Sequence, residues 1–298
     1  MDIHTDIFDK LKKKIDYDLK PEETIISTMT ICLDMGSNCI FECYNIGKFL
    51  KLDKKFIEEI KFCDENNIQI RSFTKKKIKQ KKKPEKKKKK DSFYNQVTII
   101  VRISDIKTIN IKLFKNGSIQ MTGCDSIVNT KYSIEKLFEI LNKPRYLLNL
   151  DKKNINIIKF LKTENDKVIT IDDIIQCNVH LINCNFNIGF KINRDKLFDI
   201  ISNKNSESIL EIKKNNIAYN RNIDIDIPQK YIDSTYDPIR HACVNIKLNH
   251  PIKTITIFVF ESGSIIILGK SCKQIRDAYN FINVFLLSNY YNIYCNNK

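Results

Sequence analysis

Cys177-x-x-His180 with Cys184, and Cys39 with Cys43, come nearest to metal-ligand spacing in this chain. A structural zinc site needs two such pairs converging on four ligands. Neither group brings a second pair, so the cysteines read as buried structural thiols. The four histidines, His4, His180, His241 and His250, stand apart in the sequence. No glycine-rich phosphate loop, HExxH or GxSxG occurs, and nothing sets a nucleophile beside a base. The expectation is therefore a protein that is not an enzyme and holds no metal or cofactor. What the residue types do support is polyanion chemistry. The 298 residues carry 51 Lys+Arg against 35 Asp+Glu, a formal charge of +16. An excess of this kind suits nucleic acid or an anionic membrane surface.

The charge is uneven. Residues 75–90 read KKKIKQKKKPEKKKKK, twelve Lys and one Glu, so this run carries +11 and the rest of the chain 16 − 11 = +5. Such a run repels itself and buries no core. It is either a solubilising insert or an arm that contacts phosphates by counterion release, and a nuclear-localisation role is compatible with both. Deleting residues 75–90 is expected to flatten the salt dependence of polyanion binding and leave the fold intact.

Other classes recede on composition. Hydrophobic residues make up 42% and charged residues 29%, enough for one or two ordinary cores. The most apolar stretch, Ile255–Leu268, is interrupted by Glu261 and bounded by Lys253 and Lys270, which argues against a transmembrane helix. Met1–Lys14 is charged throughout, without the apolar stretch of a signal peptide. Ten scattered cysteines then fit a reducing, intracellular setting.

An internal repeat organises the elements that must carry these charges. Residues 106–123, IKTINIKLFKNGSIQMTG, and 252–269, IKTITIFVFESGSIIILG, agree at ten of 18 positions at a constant offset of 146. Each copy begins with an alternating run, Val97–Ile103 or Cys243–Leu248, that predicts a strand. A second run ends at Phe114 or Phe260. Asn116-Gly117 and Ser262-Gly263 are hairpin turn signals, and a third run follows at Ile119–Thr122 or Ile265–Leu268. A helix follows each meander, over Ser126–Leu141 and Ser271–Leu287, with Ser126 and Ser271 as N-caps. Upstream, Thr24–Leu33 leads to a helix near Asp53–Phe62, and Val179–Phe190 to a helix near Asn193–Ser202. A further strand is expected near Asn67–Phe73. The NIG segments Asn45–Gly47 and Asn187–Gly189 match at an offset of 142. The fold class is α+β: two pseudo-symmetric repeats whose helices lie on one face of a continuous sheet, leaving the other open for a ligand.

With these residues in view, the chain resembles the TATA-box-binding protein family. Ile25-Ile26-Ser27-Thr28-Met29-Thr30 is similar to the family's first strand. Phe114–Gly123 (FKNGSIQMTG) and Phe260–Gly269 (FESGSIIILG) resemble its F-x-S-G-[KR]-x-x-x-T-G segment. Tyr236-Asp237-Pro238 is similar to its Y-[ED]-P stirrup. The Lys run, the following Ser92-Phe93-Tyr94-Asn95-Gln96 and the phrase GSIQMTG resemble the divergent versions encoded by giant nucleocytoplasmic DNA viruses. The resemblance implies a saddle: a curved antiparallel sheet with helices on its convex face. It divides the chain into a 1–23 extension, a 24–142 first repeat with the insertion at 75–90, a 143–178 insertion, and a 179–298 second repeat. Residues 203–235 are a further insertion.

The resemblance also implies minor-groove DNA binding by the concave sheet, with aromatic wedges entering base steps. The later wedge of each pair maps onto Phe114 and Phe260, and Phe258 lies on the same strand. The earlier wedges map onto Gln96 and His241, counted back from Arg102 and Lys247. Phe93 and Tyr94 are near enough to substitute in the first repeat. Groove-lining positions map onto Gln120 and Thr122, and onto Ile266 and Leu268. The family's base-reading Asn pair falls near Thr24 and Leu181. Arg102, Lys107, Lys247 and Lys253 fall at phosphate-contacting positions, and Lys112 is an added cation on the concave side. The implied partners are double-stranded DNA, a factor-IIB-like protein docking at Tyr236, Asp237 and Pro238, and RNA polymerase, with no membrane. The implied function is transcription initiation on AT-rich promoters, in the host nucleus or a cytoplasmic viral factory, with packaging in the virion as a further setting. The alternative is a structural or interaction protein that keeps the saddle for non-specific DNA binding or polymerase scaffolding.

Overall fold

The structure is a computed structural model that describes residues 7–15, 20–64, 67–73, 95–149, 154–202, 232–249 and 253–295. The Lys-rich run at 75–90, Phe93, Tyr94 and most of the 203–235 insertion lie outside the described residues. Two compact units are present. Unit 1 comprises Met1–Leu11 with Thr30–Asn178, and unit 2 comprises Lys12–Met29 with Val179–Lys298.

Unit 1 begins with Ile7–Leu11 of α1 (Ile7–Ile15), whose Phe8 and Leu11 are buried. Then come Thr30–Asp34 of β1 (Ile25–Asp34), β2 (Cys39–Phe41) and α2 (Cys43–Phe49), followed by β3 (Ile57–Asp64) and β4 (Asn67–Ser72). The meander β5 (Gln96–Arg102), β6 (Thr108–Phe114) and β7 (Ser118–Cys124) leads into α3 (Ile127–Leu141). The strands are ordered β1-β7-β6-β5-β3-β4. Alternation along β5, β6 and β7 explains the sheet. Val97, Ile99, Ile109, Ile111, Ile119 and Met121 are all at most 1% exposed, and most of the residues between them are half-buried. α3 packs on β7 and closes that core with Ile134, Leu137, Phe138 and Leu141.

The expected helix over Asp53–Phe62 is strand β3, and the helix lies earlier, as α2. A β-bulge between Ile57 and Glu59 explains the misreading. The extra residue spaces buried Ile57 and Ile60 three apart, which imitates helical periodicity. Gly47 sits in α2 because a Cβ there would lie 2.1 Å from the Phe62 ring on β3. The NIG match therefore equates a helix with the end of a strand and is not a structural equivalence.

Residues 143–178 belong to unit 1. They form the hairpin β8 (Arg145–Asn149) and β9 (Asn154–Ile158), and β10 (Leu161–Thr163), which pairs with β2. The Asn142 side chain pins the segment. Its Nδ2 donates to the Ile169 carbonyl (2.8 Å) and its Oδ1 accepts from the Ile169 N–H (3.0 Å).

Unit 2 contains β11 (Gln176–Asn187), α4 (Arg194–Ser202) and β12 (Ile232–Thr235), then the meander β13 (Cys243–Leu248), β14 (Ile255–Phe260) and β15 (Ser264–Gly269). α5 (Cys272–Ser288) and the short α6 (Tyr290–Ile293) follow. The strand order is β12-β13-β14-β15-β11, with antiparallel pairing throughout. Ile246, Ile257, Val259, Ile265 and Ile267 are buried, and α5 lies against β14 and β15 with Ile275, Ala278 and Ile282 buried.

Two local devices recur. Ser126 Oγ accepts from the Asn129 N–H (3.2 Å) at the start of α3, and Ser271 Oγ accepts from the Gln274 N–H (3.3 Å) at the start of α5. Gly117 and Gly263 have φ of +88° and +81° in the hairpin turns. Any Cβ there would also meet a carbonyl oxygen, of Gly36 at 2.6 Å and of Phe190 at 2.2 Å respectively.

Candidate nucleic-acid interface

Each unit turns one sheet face into its core, and most of the residues on the other face are half-buried or exposed. In unit 1 the open face follows from the register. Lys61, Thr98, Lys112 and Gln120 form one cross-strand row. Ile100, Asn110 and Thr122 form the next. Gln96 stands opposite Phe114 at one end, and Arg102 opposite Thr108 at the other. Phe114, Lys112, Gln120 and Thr122 are half-buried, and so is Gln96, whose Nε2 donates to Thr98 Oγ1 (3.3 Å).

In unit 2 the corresponding row is Asn245, Phe258, Ile266 and Asn185. The next is Lys247, Thr256, Leu268 and Asn183, and Cys243 stands opposite Phe260. Phe258, Phe260, Ile266 and Leu268 are half-buried, while Lys247 is exposed. The Oδ1 atoms of Asn110, Asn183 and Asn245 are buried without a hydrogen-bond partner among the described residues. Buried polar atoms are ordinarily paired, and these three are not. Sequence reasoning missed Asn183, Asn185, Asn245, Thr98 and Asn110. The usable signal was parity, since each sits directly across a ladder from a residue already singled out.

One expected pairing needs correction. Arg102 and Lys247 are not equivalent, because Lys247 pairs with Thr256 whereas Arg102 pairs with Thr108. The residue opposite Phe260 is Cys243, not His241. His241 is exposed, precedes β13 and lies beyond the last ladder pair, where its N–H bonds the Asp237 carbonyl (2.8 Å). Thr24 is 1% exposed and its hydroxyl donates to the Pro21 carbonyl (2.8 Å), so it does not line an open face. Leu181 is half-buried on β11.

The cations differ between units. Arg102 pairs with Glu58 and also donates to the Asp105 carbonyl (3.3 Å). Lys107 lies 3.6 Å from Asp125. Burial pushes the Asp125 carboxyl up, but its bond from Asn129 and the Lys107 charge outweigh this and hold it below the usual carboxylate range. Lys247 and Lys253 are exposed, with Asp233 directly across from Lys247.

Tyr236, Asp237 and Pro238 begin a turn outside the ladder. Asp237 Oδ1 accepts from the Ile239 N–H (3.0 Å), and Arg240 Nε lies 3.4 Å from Asp237 Oδ2. The Tyr236 ring packs against Phe198 (5.8 Å) and the Arg194 guanidinium (5.7 Å), and Arg194 is fixed by Glu261 (2.8 Å). Ile239 at the tip is 94% exposed.

The thiols are inert in this setting. Burial pushes Cys39, Cys43 and Cys124 up to about 11 and Cys184 up to about 12. Cys177 is buried while His180 is exposed, on the opposite side of β11. Among the described residues no group of three or more His, Cys, Asp or Glu is placed to hold a metal, and no helix is long and apolar enough to cross a membrane.

Fold and faces together define an α+β protein of two meander-plus-helix units, each with a largely antiparallel sheet open on one face. No family model matches the chain. Among curated proteins, one named "TATA-box-binding protein-like", from Acanthamoeba polyphaga mimivirus, is 34% identical over 272 residues, covering 89% of this chain and 65% of that protein. The chain thus spans just under two thirds of that relative's length. Among solved structures, the Methanococcus jannaschii TBP covers 89% of this chain and 98% of its own, with a TM-score of 0.47 and 13% identity. The chain is thus similar over most of its length to a mimivirus protein named "TATA-box-binding protein-like".

Proposed function

We propose that the protein binds the minor groove of AT-rich promoter DNA and acts as a TATA-box-binding-protein-like transcription initiation factor of a virus. The observation that carries this reading is the placement of Phe114 and Phe260. Each ends the middle strand of a meander, on the open face, beside a positive-φ glycine turn. A minor-groove binder needs an apolar wedge so placed to enter a base step and bend the duplex. In this reading each open face contacts DNA, backed by α3 in unit 1 and by α5 in unit 2. Lys247, Lys253, Arg102 and Lys107 set the register on phosphates. Tyr236, Asp237 and Pro238 anchor a turn that docks a factor-IIB-like protein, and polymerase follows. The role is binding, not catalysis, in the host nucleus or a viral factory.

A second reading has its own support. Gln96 and Cys243 oppose the wedges where the family carries further aromatics, and Lys112 and Gln120 make unit 1's face polar. Both favour a saddle kept for non-specific DNA binding or scaffolding. Gel-shift titration across salt, on an AT-rich duplex and a GC-rich duplex, separates the two. Tighter AT-rich binding that a minor-groove ligand such as netropsin displaces supports the first reading. Equal binding to both duplexes, undisturbed by netropsin, removes it.

A further inference from the structure

The hairpin β8–β9 lies in the insertion between the two repeats, outside the segments that carry the family resemblance. Its register puts Tyr146 opposite Ile157 and Leu148 opposite Ile155, so four apolar side chains share one face. All four are between 57% and 68% exposed. Leu147 and Ile158, on the other face, are half-buried, so that side rests on the body of unit 1. A two-stranded ribbon is marginal by itself, and holding large apolar groups in water costs it further stability. A contiguous exposed apolar patch of this kind marks an interaction site.

The charge around the hairpin is positive and poorly compensated. Arg145 opens β8, and its Nη1 donates to the Phe49 carbonyl at the end of α2. Arg71 on β4 reaches the same helix end, where its Nη1 donates to the Gly47 carbonyl (2.7 Å). A helix C-terminus favours cations, and these bonds leave the remaining guanidinium donors for a ligand. Among the described residues no carboxylate pairs with either arginine. Burial, and then the Arg145 charge, pull the Arg71 pKa below its usual value, so the two guanidinia sense one another. In sequence, residues 143–162 hold six Lys or Arg and one Asp, a net +5. That equals the whole excess the chain carries outside residues 75–90. Arg71 is not on the open face. It stands across the ladder from buried Ile60, on the side of β3 whose Phe62 packs against Gly47 of α2. Lys61 and its row alternate to the other side.

We infer that the β8–β9 hairpin and the Arg71–Arg145 pair form a docking site for an acidic protein segment that carries apolar residues. The segment's apolar side chains cover Tyr146, Leu148, Ile155 and Ile157. Its carboxylates pair with Arg145 and Arg71 at the start of β8, where a guanidinium takes a carboxylate in bidentate fashion. A second copy of this chain is the poorer occupant, because it would bring two segments of like charge together. Duplex DNA is poorer too, because four apolar side chains offer phosphates nothing and the arginines lie behind the open face. The site recruits a protein whichever way the open faces meet DNA.

The test uses the full chain, with excess AT-rich duplex present to occupy other polyanion-binding surfaces. The probe is a labelled synthetic peptide in which Asp alternates with Leu and Phe, followed by fluorescence anisotropy. Two control peptides carry Asn in place of Asp, or Ser in place of Leu and Phe. The parent peptide is expected to bind, and each control to bind at least about tenfold more weakly. Leu148→Ser with Ile155→Ser leaves the charge unchanged and should weaken the parent peptide on the order of tenfold. Arg145→Gln should weaken it about fivefold, and less as salt is raised. All three positions are exposed, so the variants should keep the wild-type melting temperature. No binding of the parent peptide overturns the inference. So does a Ser-containing control that binds equally well, since charge alone is then being read, and that comparison needs no variant to fold. A folded Leu148→Ser, Ile155→Ser variant that binds as the wild type does also overturns it. A dimer in sedimentation that this variant dissolves assigns the patch to a second copy and overturns it as well. None of these outcomes bears on the minor-groove reading.

Discussion

Lys112 and Phe258 hold the same place in two ladders and have opposite chemistry. Each lies two residues before the Phe that ends the middle strand, and each has one polar and one groove-lining neighbour, Thr98 with Gln120 and Asn245 with Ile266. Beneath them the units are built alike, with buried alternation, a glycine hairpin and a serine-capped helix. The shared features all serve packing, which tolerates little change. The differences lie on the faces, where a side chain answers only to its ligand. Unit 1 has become a polar surface on which Arg102 and Lys107 are held by acids, and unit 2 an apolar one on which Lys247 and Lys253 are exposed.

If that contrast governs binding, Phe258→Ala with Phe260→Ala should have the largest effect. Each aromatic contact to a base is worth roughly 1–3 kcal/mol, so affinity for AT-rich DNA should drop ~100-fold or more by gel shift. Phe114→Ala should cost nearer tenfold, and equal losses would break the contrast. The thiols give a second, pH-dependent comparison. Cys184 and Cys124 are raised above the unfolded value near 9.0, so their neutral forms stabilise the fold fully below that pH, and the contribution is lost as pH rises towards about 12 and about 11. The melting temperature should be flat up to pH ~9 and fall above it, less steeply in Cys184→Ala. The caps should behave identically: Ser126→Ala and Ser271→Ala should each lose ~1 kcal/mol in chemical denaturation. Unequal losses would mean that the packing beneath the faces also differs. The smallest effect concerns the cations. Lys247→Ala should lower the slope of log K against log salt by about 0.9, and Arg102→Ala by less, because Glu58 already neutralises it.

Much of this was legible because β-strands announce themselves by alternation. Val97–Ile103, Cys243–Leu248 and the runs ending at Phe114 and Phe260 fall within a residue or so of the observed strands, and both N-caps are where Ser126 and Ser271 predict them. Two failures were physical. The bulge in β3 disguised a strand as a helix, since one extra residue converts spacing by two into spacing by three. The partner of Phe260 was displaced because the path between paired positions is one residue shorter in β13–β14 than in β5–β6: Phe260 pairs with Cys243, 17 residues back, and Phe114 with Gln96, 18 back. The offset of 146 that holds from β6 to β14 becomes 147 from Gln96 to Cys243. Register depends on loop length, which similarity within strands does not report. The hairpin β8–β9 was invisible for a different reason: Tyr146, Leu148, Ile155 and Ile157 lie on its exposed face, so its pattern marks no core.

The most direct test is fluorescence transfer between the ends of an AT-rich duplex, measured at saturating protein. The wedge placement predicts that the wild-type chain brings the ends closer, and that Phe114→Ala with Phe260→Ala still binds at higher concentration but leaves the duplex straight. A wild-type complex with unbent DNA, or a double variant that bends it as fully, would contradict the account.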